Sequence, residues 1–60
     1  MSKLEREIRL VETYGMKAEV ANAPKDAFTF DKIVIVKKPT GFMFEVWFYN
    51  TKKDEIVSRY

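Results

Sequence analysis

Residues 32–49 read KIVIVKKPTGFMFEVWFY, and the way this stretch folds back on itself decides how the rest of the chain is placed. Two apolar runs flank Pro39-Thr40-Gly41, the pattern of a β-hairpin. Pro39 holds φ negative, which rules out the two-residue type I′ turn, whose central residues both need positive φ. A type I turn closed by Gly41 in the left-handed region, making a three-residue loop with a G1 bulge, suits both residues. Carried along both strands, that turn predicts a register. Lys38 faces Phe42, Val36 faces Phe44, Val34 faces Val46 and Lys32 faces Phe48. The opposite face then carries Lys37 with Met43, Ile35 with Glu45, Ile33 with Trp47, and Asp31 with Tyr49. One face is an almost unbroken apolar layer; the other mixes Trp47, Tyr49, Met43 and two isoleucines with charges.

Sequence on either side supplies the remaining elements. From Ser2 to Tyr14 the periodicity is helical, with Leu4, Ile8 and Val11 on one stripe that Leu10 and Tyr14 widen. Ser2 and Glu5 have capping-box spacing, and Gly15 stands where a C′ glycine ends a helix. The i, i+4 pairs Glu5/Arg9 and Lys3/Glu7 lace its outer face, each contributing about 0.3 kcal/mol. In Met16–Ala23, Met16, Ala18 and Val20 alternate with Lys17, Glu19 and Ala21. This suits a half-buried edge strand, while the alanines suit a short helical extension; Gly15 and Pro24 favour the strand. Ala23–Ala27 is a loop, Phe28–Lys38 the first hairpin strand, and Phe42–Asn50 the second. A polar turn, Asn50–Asp54, leads to a last strand, Glu55–Tyr60, where Val57 joins Phe48 on the core face and Ile56 joins Tyr49 on the other. The expected fold is a single small α+β domain over residues 1–60. Its N-terminal helix packs on one face of a three- to four-stranded antiparallel sheet, in the order α-β-β-β-β or α-β-β-β.

Composition narrows the functional classes. Sixty residues without cysteine or histidine have no disulfide, thiol nucleophile, imidazole base or ordinary zinc ligand set. At this size a lone core, set against about 1.5 kcal/mol per ordered residue, comes out near zero, which makes self-association the natural source of further burial. A net charge of +2, with 33% of residues charged, describes a folded chain and does not make nucleic acid the default partner. The N-terminal Met-Ser-Lys-Leu-Glu-Arg-Glu is charged where a signal peptide is apolar, and no run approaches the roughly 20 residues of a membrane span. A cytoplasmic protein with no membrane partner is expected.

The two sheet faces carry the functional expectation. A single helix covers one of them, expected to be the face of Phe30, Val34, Val36, Phe42, Phe44, Val46 and Phe48, so that Phe44→Ala costs about 3–5 kcal/mol. The other face would show Ile33, Ile35, Met43, Trp47, Tyr49 and Ile56 to water, with Glu45 in their midst. A contiguous apolar patch of this make-up marks an interaction surface. Self-association, a dimer in the simplest case, is the first expectation for it, and recognition of another protein the second. The third is single-stranded nucleic acid stacked on Trp47 and Tyr49, with Lys32, Lys37, Lys38, Lys52 and Lys53 on its backbone. Those lysines fall at opposite ends of the hairpin, some ~25–30 Å apart at the rise of a strand, which weakens the third.

Chemistry has little to stand on. Glu45 is the one carboxylate placed to have its pKa raised by a partner, and pairing with Lys37 or Arg59 is its simpler role. Ser2 and Ser58 have no base beside them. Gly15 and Gly41, the only glycines, have cap and turn roles instead of forming a phosphate loop. No catalytic residue, cofactor or metal site is expected, and the chain reads as a small non-enzymatic binding protein.

Overall fold

The computed structural model describes residues 2–60. Helix α1 (Lys3–Thr13) is followed by β1 (Lys17–Asn22), β2 (Lys32–Lys37), β3 (Met43–Asn50) and β4 (Glu55–Arg59). The strands form one antiparallel sheet in the order β1-β2-β3-β4, and α1 packs on one face of it. This is the expected α-β-β-β-β fold, and the segment 16–23 forms a strand over Lys17–Asn22. β2 is shorter than expected, because residues 28–31 stay in the loop.

Local chemistry accounts for the helix ends. Ser2 adopts an extended backbone, and its Oγ accepts a hydrogen bond from the Glu5 amide at 3.2 Å, satisfying one orphan donor of the first turn. A second, the Lys3 amide, donates to Asp54 Oδ1 at 2.9 Å, so a carboxylate from the far hairpin sits at the positive end of α1. At the other end Gly15 takes φ +85°, and Met16 N donates back to the Val11 carbonyl. Leu4 and Val11 are buried and Ile8 packs against them, whereas Leu10 and Tyr14, on the side of the stripe, stay exposed.

The hairpin turn forms as its residues require. Gly41 N donates to Lys38 O, Gly41 has φ +95°, and Lys38 N donates to Phe42 O. Lys37 still pairs with Met43, but Val36 pairs with Glu45, leaving Phe44 as an extra residue in β3. From this bulge onward the expected register is displaced by one: Val34 pairs with Trp47, Ile33 with Phe48, and Lys32 with Tyr49. A one-residue displacement turns every side chain of a strand to the opposite face. Trp47 and Tyr49 therefore lie under α1 with Val34 and Val36. Val46 and Phe48 move to the uncovered face beside Ile35 and Ile33.

The core is thus Leu4, Val11, Val34, Val36, Trp47 and Tyr49, with Ile8, Met16, Ala18 and Ile56 packed against it. The face expected from sequence is right along β2 and inverted along β3. Phe42 is exposed and Phe44 is 45% exposed, so the large cost expected for Phe44→Ala does not apply. A second irregularity, between Phe48 and Tyr49, sets Ser58 opposite Phe48 and Ile56 opposite Tyr49. Ile56 does join Tyr49, but on the covered face, and Val57 is exposed instead of entering the core.

Candidate interaction surface

Of the residues expected on the open face, Ile33 and Ile35 are there, half-buried, and Met43 is exposed opposite Lys37. Trp47, Tyr49, Glu45 and Ile56 are not. Each lies on the helix side, where the Trp47 indole N–H and the Tyr49 hydroxyl both find partners within the chain. Trp47 has no exposed surface; its Nε1 donates to Glu45 Oε1 at 3.3 Å, and the Arg59 guanidinium sits 4.9 Å from its ring centroid. Arg59 in turn pairs with Glu7 of α1, closing a lid over the indole. Glu45 accordingly serves Trp47, while Lys37 pairs with Glu19 at 3.4 Å. Neither expected intrahelical ion pair forms; among the described residues Lys37–Glu19 and Arg59–Glu7 are the salt bridges.

Tyr49 is buried, and its hydroxyl donates to Asp54, the carboxylate that also receives the Lys3 amide. The two bonds favour the charged form of Asp54 and lower its pKa, the tyrosine bond being the larger cause. The same bond, with burial behind it, raises the pKa of Tyr49. Asp54 holds this position with φ +49°, in the left-handed region that Asp tolerates better than most residues. One side chain thereby fastens the β3–β4 turn to the start of the helix.

Burying Trp47 and Tyr49 leaves a different apolar set uncovered. On the open face Ile33 stands opposite Phe48 and Ile35 opposite Val46, and Val46 exchanges two backbone hydrogen bonds with Tyr60. Phe30 stacks on Phe48 with ring centroids 4.6 Å apart, and Tyr60 meets Phe48 edge-on at 5.5 Å. Three aromatic rings thus run in contact across a sheet face that no helix or strand among the described residues covers. The sequence signal is the alternation of Val46 and Phe48, expected under the helix and found on the open face, where Tyr60 joins them by pairing with Val46. Phe30, expected on the covered face by alternation with Val34 and Val36, lies before β2 in a loop and so is not bound by the strand's alternation; it stacks on Phe48 instead.

The lysines proposed from sequence for nucleic acid do not act together. Lys32 Nζ donates to Asn22 Oδ1 and Lys37 is paired with Glu19; Lys38 lies at the Pro39 end, and Lys52 and Lys53 at the other. The stacking pair Trp47 and Tyr49 is inside the protein, which removes that form of nucleic-acid binding. Among the described residues no group of acidic, histidine or cysteine side chains has the arrangement of a metal site, and no helix is long and apolar enough to cross a membrane. Comparison with protein-family models, curated proteins and solved structures gives no match, so the surface is interpreted on its own chemistry.

Proposed function

We propose that this is a non-enzymatic interaction protein that self-associates through the open sheet face centred on Ile35, Val46 and Phe48, and acts by binding another macromolecule. The observation that carries the first half is the apolar sheet face, Ile33, Ile35, Val46 and Phe48, left on the side away from α1. The chain exposes 4560 Å² at a mass of 7.1 kDa, where a folded monomer of that mass exposes about 4,100 Å². Its Cα envelope measures 32 × 24 × 15 Å. Two such faces stacked about 10 Å apart would bury Ile33, Ile35, Val46 and Phe48 between sheets, the packing of a β-sandwich.

Sedimentation or light scattering tests this directly. At about 50 µM, enough to populate a dimer of micromolar Kd, the parent chain is expected at twice 7.1 kDa. Ile35→Lys is expected to give a folded monomer with unchanged Trp47 fluorescence. A parent chain that sediments as a monomer at that concentration removes the self-association half.

A further inference from the structure

We infer that the groove between the 24–31 loop and the β3–β4 turn is a binding site for single-stranded nucleic acid, with a base stacked on Phe28 and the adjoining phosphates held by Lys52 and Lys53. The inference rests on the binding half of the proposed function and names its partner class. Two concavities lie at this end of the open face, the larger of about 420 Å³. Phe28, Asn50 and Lys52 stand in the walls of both, so the two run together. Phe30, which lines the second, stacks on Phe48, so the groove lies at the margin of the open face and not on the part that a second copy would cover.

Two features distinguish this groove from an ordinary surface dip. First, its walls are tied together. Asn50 Nδ2 donates to Thr29 O at 3.1 Å while Asn50 Oδ1 accepts from Lys53 N at 3.1 Å, and Thr51 N donates to Asp31 Oδ1 at 2.8 Å. The aromatic loop and the lysine turn are therefore held side by side before any ligand arrives, which lowers the ordering cost of binding. Secondly, the groups that would meet a ligand are unengaged. Phe28 is 95% exposed, a position at which a large apolar ring gains nothing for the fold. Lys52 and Lys53 make no ion pair among the described residues, and nearby Asp31 and Asp54 are occupied by Thr51 and by Tyr49 and Lys3. Two carboxylates stand in its walls, Glu55 in the larger concavity and Asp31, bonded by the Thr51 amide, in the smaller. An exposed ring beside free ammonium groups matches the face and backbone of an unpaired nucleotide, and it asks for no particular base.

The test is fluorescence anisotropy of a labelled oligothymidylate of roughly 12 nucleotides, titrated with the intact chain. Binding is expected at about 50 mM salt, weakening with log salt at a slope near −1.4 per chain for two phosphate contacts. Phe28→Ala is expected to weaken binding about tenfold or more at constant salt, the effect of losing one stacking ring. The double variant Lys52→Gln, Lys53→Gln is expected to flatten the salt slope. Neither variant should alter Trp47 fluorescence, since these side chains lie outside the core. Absence of saturable binding at low salt, full affinity in Phe28→Ala, or equally tight binding of polyglutamate each overturns the assignment. Sedimentation of the same samples separates the two halves: a monomer that binds the oligonucleotide overturns only self-association, and a dimer that does not bind it overturns only the groove.

Discussion

Trp47 and Phe44, three positions apart in one strand, have opposite worth. Trp47 is wholly buried under α1 and Arg59, so Trp47→Ala is expected to cost about 3–5 kcal/mol, much of the stability a domain this small can have. Phe44 is the extra residue of a bulge and 45% exposed, and Phe44→Ala is expected to cost less than about 1 kcal/mol. Urea unfolding of the two variants checks the contrast. Asp54 and Asp31 both contribute to the acid limb. The pKa of Asp54 is lowered in the folded state by the Tyr49 hydroxyl first and the Lys3 amide second, and that of Asp31 is lowered chiefly by the Thr51 amide. A depressed folded pKa means stability that is complete above the unfolded value of about 3.9 and is lost as pH falls through the folded one. Asp54→Asn is therefore expected to flatten the fall in stability below about pH 4 while lowering stability near neutrality. In the same variant, ultraviolet titration should show the late-ionising tyrosine, Tyr49, returning toward the ordinary value of about 10.

The β2–β3 hairpin is two decisions made in succession. Pro39 and Gly41 settle the turn, and the first pair beyond it, Lys37 with Met43, follows from the turn geometry. Phe44 then steps out of the ladder, and this second decision chooses which face goes under the helix. Deleting Phe44 supplies the sharpest check. Without it, Met43 and Glu45 become neighbours opposite Lys37 and Val36, and the ladder runs without interruption in its present register. The deletion variant is expected to fold with Trp47 still buried and its emission still at short wavelength; red-shifted emission would mean that the bulge does not control the face. Gly41→Ala is a quieter probe. A methyl group there meets nothing within 4 Å, so the expected loss of about 1–2 kcal/mol comes from the left-handed backbone alone.

Taken as a whole, the molecule is two layers with three aromatic rings, Phe30, Phe48 and Tyr60, and the aliphatic strand residues Ile33, Ile35 and Val46 left on the bare side of the sheet. A chain that completes its core with a second copy has a stability that depends on concentration. The thermal midpoint of the parent is expected to rise with protein concentration, and that dependence should vanish in Ile35→Lys. A midpoint independent of concentration would count against pairing even if the isolated chain were stable.

How much of this was legible beforehand follows from what kinds of interaction are local. The helix with its Ser2 cap and Gly15 stop, the Pro39–Gly41 turn, the strand after Gly15 and the antiparallel order were all determined by the sequence itself, because backbone φ restrictions, caps and periodicity act over a few neighbouring residues. So was the conclusion that a single helix leaves one sheet face bare, since both alternating sets of β3 are apolar. Which set goes under the helix was decided only by the tertiary structure. Alternation cannot choose between Phe44-Val46-Phe48 and Glu45-Trp47-Tyr49 when either would fill a core. Trp47 and Tyr49 carry polar atoms that must be satisfied when buried, and Glu45, Arg59 and Asp54 meet them on the helix side. Asp54 and Arg59 are themselves held by the far end of the chain, Asp54 by the Lys3 amide and Arg59 by Glu7, both on α1, so the choice depends on contacts about fifty residues apart in sequence.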